Sequence, residues 1–406
     1  MVERRRVVVT GLGVVSSIGI GKDAFWKGLL EGRSGVSQVV RFDTSKFDVH
    51  LGGEVKDFRP GDFFDNERWE KLGRASQFAI AATRLAAEDA GLTPEDFAGS
   101  NTSVCLGTAM ADIHLLEAMD DEIVQEGVST GYYAGRKVLQ YPGCMIATNI
   151  ASEFRMRGRV AMIPTACAAG NYAIAYGSDL IRLGKCDVAI VGGVDPFSRI
   201  AFTGFSRIFA VAPDYCSPFD RNRKGTIVGE GAGILILESL IHSRKRNANP
   251  YAEVLGYGIN CDAHHMTIPT NESIANVMRK ALADANINLN EVDYISAHGT
   301  GTPANDKAEC SAICEVFGEW VSRIPVSSIK SMIGHTMGAA SALEAITCAL
   351  ATRYDEIPPT INHKSDDPEC DIDCVPNASR AHKVRVALNN SFAFGGNNAC
   401  VVFQKV

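Results

Sequence analysis

The chain has 406 residues, 46% hydrophobic and 21% charged, proportions that suit a globular protein with a large core. A formal net charge of −7 argues against a nucleic-acid binder, which would carry a basic surplus. Twelve cysteines are scattered, several inside apolar runs (Cys105, Cys186, Cys348, Cys400), without a compact disulfide framework, as expected of a reducing cytoplasm.

In chain order, the basic stretch Arg4-Arg5-Arg6 and the apolar residues after it imitate a secretion signal. The apolar stretch is β-branched and broken by Gly11 and Gly13, and no small-x-small cleavage site follows, so it reads as a first strand. No run approaches the ~18 apolar residues of a spanning helix, so a soluble cytoplasmic protein is expected. Gly11 and Gly13 nearly match the dinucleotide fingerprint. The third glycine and the acidic residue about twenty positions on are missing, which argues against a nicotinamide enzyme. A helix is predicted over 76–90, strands over 102–106 and 159–163, a helix over 168–183, and strands over 188–191, 234–238 and 252–257. A helix over 272–285, strands over 292–297 and 324–329, a helix over 338–351 and a strand over 384–389 follow. This alternation predicts an α/β fold with a mainly parallel or mixed sheet. The helices around Ala173 and Ala342 carry few charges and read as buried on all sides, which implies more than three layers. A helix, an Asp-Ala corner, a polar loop and a strand ending in Gly-Thr occur twice, ending at Thr108 and at Thr300. The repeat predicts two related halves, 3–250 and 251–406, meeting at the polar stretch 242–250.

Cys167 stands at a predicted strand-to-helix corner. There the helix's unpaired N–H groups and dipole favour a thiolate, and a drop of about one to two units from the usual thiol pKa would make most of it nucleophilic. His298 and His335 each lie in a small-residue turn next to an apolar strand, where a substrate approaches the ring closely and where α/β scaffolds place chemistry. A third glycine corner, at 389–398, brings backbone N–H groups within reach of a ligand, either as a plain hairpin or as an oxyanion donor. Cys310/Cys314 and Cys370/Cys374 have a CxxxC spacing, but zinc sites usually use CxxC; Cys310 and Cys314 read as one helix face.

The ordered set Thr165-Ala166-Cys167, His298-Gly299-Thr300-Gly301-Thr302, Lys330-Ser331 with Gly334-His335, and Gly395-Gly396 resembles the elongating β-ketoacyl-acyl carrier protein synthases of the thiolase-like superfamily. Pro218-Phe219-Asp220-Arg221 and Gly229-Glu230-Gly231-Ala232-Gly233 belong to the same resemblance, which runs from Val7 to Asn397. It implies a thiolase-like five-layer αβαβα fold with two pseudo-repeated halves, a homodimer, with a heterodimer as the alternative, and no redox cofactor or catalytic metal. It implies decarboxylative Claisen condensation of acyl-carrier, held as acyl-Cys167, with malonyl-carrier, in fatty acid or dissociated type II polyketide synthesis. Backbone N–H groups of Cys167 and Phe394 would form the oxyanion hole, and Phe394 would also gate. His298 and His335 would hold the malonyl thioester carbonyl, and Lys330 would order the site with Glu309. Thr300 and Thr302 match pantetheine-binding positions; Met110 and Phe205 match the acyl pocket. The acidic carrier needs a basic dock, for which Arg68, Lys71 and Arg74 recur at helical spacing, with Arg136, Lys137 and Arg207 as further candidates. The rival is a non-catalytic or chain-length-determining partner of a heterodimer, which the intact Cys167, His298 and His335 oppose. The forms Ala168-Ala169-Gly170-Asn171 and Gly395-Gly396-Asn397-Asn398, with Gly301 where serine is frequent, depart from housekeeping fatty acid enzymes and point to a specialised synthase.

Overall fold

A computed structural model describes residues 4–65, 67–98, 101–126 and 136–406. Its principal elements in the first half are strand β1 (Val7–Ser16), helix α1 (Arg74–Ala90), β2 (Thr102–Gly107), α2 (Ile113–Glu126), α3 (Cys144–Glu153), β3 (Val160–Ile163), α4 (Ala169–Arg182), β4 (Val188–Asp195), α5 (Arg199–Arg207) and β5 (Gly231–Ser239). The second half continues with β6 (Ala252–Cys261), α6 (Asn271–Ala285), β7 (Tyr294–Ser296), α7 (Pro303–Phe317), β8 (Val326–Ser327), α8 (Ala340–Tyr354), β9 (Val386–Phe392) and β10 (Asn397–Gln404). The predicted strands 292–297 and 324–329 shorten to three and two residues, because their ends peel off into the turns that carry the histidines.

The ten strands form one path, in the order β8-β7-β9-β10-β6-β1-β5-β4-β2-β3. Its two halves repeat the same wiring. β2 runs parallel to β3 and β4, β4 antiparallel to β5, and β5 antiparallel to β1. Likewise β7 runs parallel to β8 and β9, β9 antiparallel to β10, and β10 antiparallel to β6. The halves join where β1 meets β6 antiparallel, Val8 opposite Glu253 and Val9 opposite Ala252. Two pseudo-repeated mixed sheets therefore fuse edge to edge into a single path.

Helices α4 and α8 lie between the half-sheets, and α1 and α3 cover one outer face while α6 and α7 cover the other. This gives five layers, αβαβα. Every residue of α8 from Ala340 to Thr352 is buried, which is why its sequence has no polar face. The central helices touch through small residues: a Cβ at Gly170 would meet the backbone N of Ala342 at 2.7 Å. Gly11 and Gly13 have the same kind of role. A Cβ on Gly13 would meet the carbonyl of Ala82 at 1.8 Å, so the near-fingerprint lets α1 lie close on β1 and holds no nucleotide phosphate.

Candidate active site

The C-terminal ends of equivalent strands converge on one open cavity. Cys167, His298 and His335 all line it, and their sulfur and nitrogen ligand atoms lie within 4.8 Å of one another, all buried. Cys167 thus meets two histidines that lie more than a hundred residues further along the chain.

Cys167 occupies a single 3₁₀ turn, Ala166–Ala168, between β3 and the first turn of α4. Ala166 has φ of 49°, a left-handed conformation that an alanine rarely adopts, so the corner stores backbone strain next to the sulfur. Ser391 Oγ donates to the Cys167 carbonyl at 3.0 Å and fixes the corner to β9. Burial pushes the thiol up to about 12, opposed by the Lys330 charge and by backbone N–H groups of Phe394 and of Cys167 itself. The expected resting thiolate is therefore corrected: at this corner desolvation outweighs the helix N-terminus. The Phe394 and Cys167 amides do face the sulfur, beside the place where a thioester carbonyl oxygen would take up charge during attack.

The histidine tautomers follow from their partners. His335 Nδ1 accepts the backbone N–H of Met337 at 3.1 Å, so the neutral ring carries its proton on Nε2, which lies 3.0 Å from Cys167 Sγ. His298 Nδ1 lies 3.3 Å from Lys330 Nζ, a donor with no acceptor capacity, so this ring too presents Nε2–H. Burial first, and then the Lys330 charge, hold both rings' pKa well below the usual imidazole value; His335 adds to the effect on His298. Two neutral N–H donors thus face the sulfur. These three side chains are the one group among the described residues with spacing suited to a metal ion. A buried ammonium 3.3 Å from one ring opposes a dication there.

Lys330 is itself 1% exposed. It donates to the His298 carbonyl at 2.6 Å and pairs with the Glu344 carboxylate. Lys330 and Glu309 both support the histidine turn, through different contacts. Glu309 accepts the N–H groups of His298 and Gly299, each at 2.8 Å, and so holds the histidine turn, while the carboxylate on Lys330 is Glu344 from α8. Burial raises both acids to about 7. Glu344 was missed from sequence, although it is the lone acid in a helix that is buried from Ala340 to Thr352. Asp195 was also missed. At the end of β4 it accepts Thr108 Oγ1 (2.7 Å), the N–H groups of Ala109 (2.7 Å) and Met110 (2.8 Å), and that of Gly338 (2.6 Å). It thereby clamps the segment after His335 onto the turn after β2. Its signal was an acid closing an apolar strand.

Thr300 and Thr302 line the cavity with their hydroxyls 2.8 Å apart, and Phe205 lines it while stacking on Phe394 at 5.4 Å. Met110 does not line this cavity; it packs beside Phe205 in the apolar cluster of Val39, Phe197, Phe202 and Met337, and its N–H donates to Asp195. Among the docking candidates, Lys71 and Arg207 are exposed, and Arg68 pairs with Glu153 at 3.0 Å. Arg74 is corrected: its guanidinium is committed to buried Glu230 (2.7 Å) and to the Val55 carbonyl, so it is not presented to a partner. The Arg136 and Lys137 side chains lie outside the described residues.

Residues 4–242 match the family model for the β-ketoacyl synthase N-terminal domain, and residues 251–364 match that for its C-terminal domain. The chain belongs to the β-ketoacyl synthase family. As a member of that family of acyl-transferring condensing enzymes it is similar, at 38% identity, to "3-oxoacyl-[acyl-carrier-protein] synthase 2" of Synechocystis sp., covering 99% of each chain. It is also 38% identical to "Nodulation protein E" of Rhizobium meliloti, over 99% of this chain and 100% of that one. Its fold matches "The ishigamide ketosynthase/chain length factor" with TM-score 0.96 and 45% identity, over 99% of this chain and 100% of that one. It matches a type II PKS ketosynthase in complex with its acyl-carrier protein (AntDE:AntF) with TM-score 0.92 and 34% identity, over the full length of both. The αβαβα layering is therefore the thiolase-like architecture of the ketosynthases. Among the described residues, no helix is long and apolar enough to cross a membrane.

Proposed function

We propose that this β-ketoacyl synthase condenses an acyl group held on Cys167 with a malonyl group, both delivered on an acyl carrier protein, and that it does so without a metal or redox cofactor. The observation that carries the reading is the buried convergence of one sulfur with two imidazoles that each present Nε2–H. In the first half-reaction Cys167 sulfur attacks the acyl thioester. The new C–S bond forms as the pantetheine C–S bond breaks, and the thiol proton leaves with the pantetheine sulfur. The amides of Cys167 and Phe394 donate to the oxyanion, each worth ~10²–10³ in rate.

In the second half-reaction the malonyl thioester carbonyl accepts from Nε2–H of His298 and His335. The carboxylate's C–C bond breaks, carbon dioxide leaves, and its electron pair becomes the enolate that both rings stabilise. Neutral donors serve here because they bind the developing charge and keep their protons. The enolate carbon attacks the acyl-Cys167 carbonyl, the Cys167–acyl C–S bond breaks as the chain grows by two carbons, and the departing sulfur takes up one proton from solvent to restore the thiol. Lys330 holds His298 in its tautomer, with its own charge balanced by Glu344. Thr300 and Thr302 receive the pantetheine arm, Phe394 gates above Phe205, and Lys71, Arg207 and Arg68 contribute to the carrier dock.

A dimer belongs to the same proposal. Leu116, Ile123, Val124, Val138, Leu139, Tyr141 and Ile200 are exposed apolar side chains, and among the described residues β3 is an edge strand paired on one side only; a second ketosynthase-fold chain would cover both. The pairing of a ketosynthase with a chain length factor in a 45% identical relative supports a heterodimer as the alternative to a homodimer. We place the division between halves at 250/251, in the polar link between β5 and β6, and the setting in the cytoplasm. The direct test incubates enzyme with acyl-carrier, then with malonyl-carrier. A mass increment on the Cys167 peptide and then a β-ketoacyl-carrier are expected. Intact Cys167 after the first step would assign the chain to the non-catalytic partner role.

A further inference from the structure

The most exposed large apolar side chain among the described residues is Phe209, 89% exposed, with neighbouring Ile208 at 48%. Its setting is not a loose loop. Helix α5 closes with Phe209 N–H donating to the Ser206 carbonyl (3.1 Å) and Ala210 N–H to the Phe205 carbonyl (3.0 Å). On the far side, Thr226 N–H donates to the Ala210 carbonyl and Ala212 N–H to the Thr226 carbonyl, both at 2.8 Å. Gly225 fits against that joint only because it lacks a Cβ, which would meet the Ala210 carbonyl at 2.4 Å. Phe205 and Thr226 both line the cavity of Cys167, so the turn is stitched to the mouth at two points. Phe209 itself has φ of 55°, a left-handed backbone that an aromatic residue adopts only under constraint. A rigid, strained turn therefore holds an aromatic ring in solvent beside the entrance. Two further rim residues, Met266 at 72% and Ile268 at 51%, are exposed and apolar, and exposed Arg207 precedes Ile208.

We infer that Phe209, with Ile208, is the apolar anchor on which the acidic carrier protein seats, Arg207 supplying the complementary charge. This rests on the carrier-dependent condensation proposed above. The occupant follows from the route of the substrate. An arm that reaches Cys167 through this mouth brings its carrier's body to rest on the rim, whereas a second copy of this chain seated there would close the route. A fixed aromatic suits the task, because it offers contact area with little side-chain entropy to lose. Docking at this point is thus apolar at its centre and charged at its edge.

Two substitutions test this. Phe209→Ser is expected to raise KM for acyl-carrier about five- to tenfold, the range of an interface anchor, with kcat near wild type. The penalty persists at high salt, where that of Arg207→Glu shrinks. Phe209→Gly relieves the left-handed strain, so it is expected to raise Tm while raising KM similarly; a merely structural role gives no such split. Alkylation of Cys167 by iodoacetamide and its acylation by a small acyl thioester proceed at wild-type rates in both variants. Unchanged KM in the Phe209→Gly variant overturns the anchor, as does a changed oligomeric state in either variant, which would give the surface to a second copy. Failure of the wild-type enzyme to take an acyl group from any carrier overturns the condensation reading instead.

Discussion

The two halves of the molecule share one wiring diagram and place different chemistry at matching points. In the first half the turn after β3 presents Cys167; in the second the turn after the equivalent strand β8 leads to Lys330 and His335. The turn after β2 offers Thr108, held by Asp195, where the turn after its counterpart β7 offers His298, held by Glu309. The cysteine side carries its strain in the backbone at Ala166. The histidine side carries a buried ion pair, Lys330 with Glu344. The duplicated scaffold fixes where groups converge, and the electrostatics of each half decides what they do: one half supplies a nucleophile, the other permanent hydrogen-bond donors.

The largest expected effects break that division of labour. Cys167→Ala abolishes acylation and condensation together. His298→Ala or His335→Ala keeps acylation of Cys167 and lowers decarboxylation of malonyl-carrier by ~10²–10³, the value of a lost transition-state donor. Stopped-flow acylation measured beside carbon dioxide release checks this; equal loss of both steps in the histidine variants would erase the distinction between halves.

Next comes the ion pair. Lys330→Ala leaves Glu344 buried without its cation and is expected to cost about 3–5 kcal/mol of stability. The double variant Lys330→Met/Glu344→Leu recovers most of the lost Tm without recovering decarboxylation. Recovery of both would reduce the pair to packing.

The pH dependence separates the halves further. Because burial raises the Cys167 thiol to about 12, its iodoacetamide reaction in the free enzyme rises steadily between pH 7 and 10 without a plateau. The histidines run the other way. Their folded pKa lies well below the unfolded value of about 6.5, so their contribution to stability is complete above that pH. It is lost as pH falls and the unfolded chain takes up protons the folded one refuses. Acid melts should show Tm falling below pH ~6.5, and decarboxylation should show no acid limb at that pH.

The smallest effects concern the basic surface. Lys71→Glu and Arg207→Glu are expected to raise KM for carrier a few-fold, less so as salt increases. Arg74→Ala instead lowers Tm, because Glu230 loses its partner. Steady-state kinetics and melting curves of the same variants distinguish these outcomes.

Much of this was legible in the sequence. Strand–helix alternation and two charge-poor helices gave the layers, since a helix without a polar face has nowhere to sit but between sheets. Cys167, His298 and His335 were found because small residues at strand ends are informative locally. What sequence could not supply was pairing across the fold. Glu309 and Glu344 lie on helices whose spacing says nothing about which faces Lys330. Arg74 shares helical spacing with Arg68 and Lys71, yet its partner Glu230 comes from a segment more than 150 residues away. The thiol's direction of shift was misread for the same reason: the helix terminus is visible in sequence, but the burial that outweighs it belongs to the assembled core.

The central claim is that Cys167 carries the acyl group while His298 and His335 act only afterwards. The most direct measurement is intact-protein mass spectrometry of the His298→Ala/His335→Ala variant mixed with acyl-carrier and then malonyl-carrier. The account predicts a full acyl adduct on Cys167 that persists with malonyl-carrier present and yields no elongated product. A variant that never acquires the adduct, or one that elongates at the wild-type rate, would contradict it.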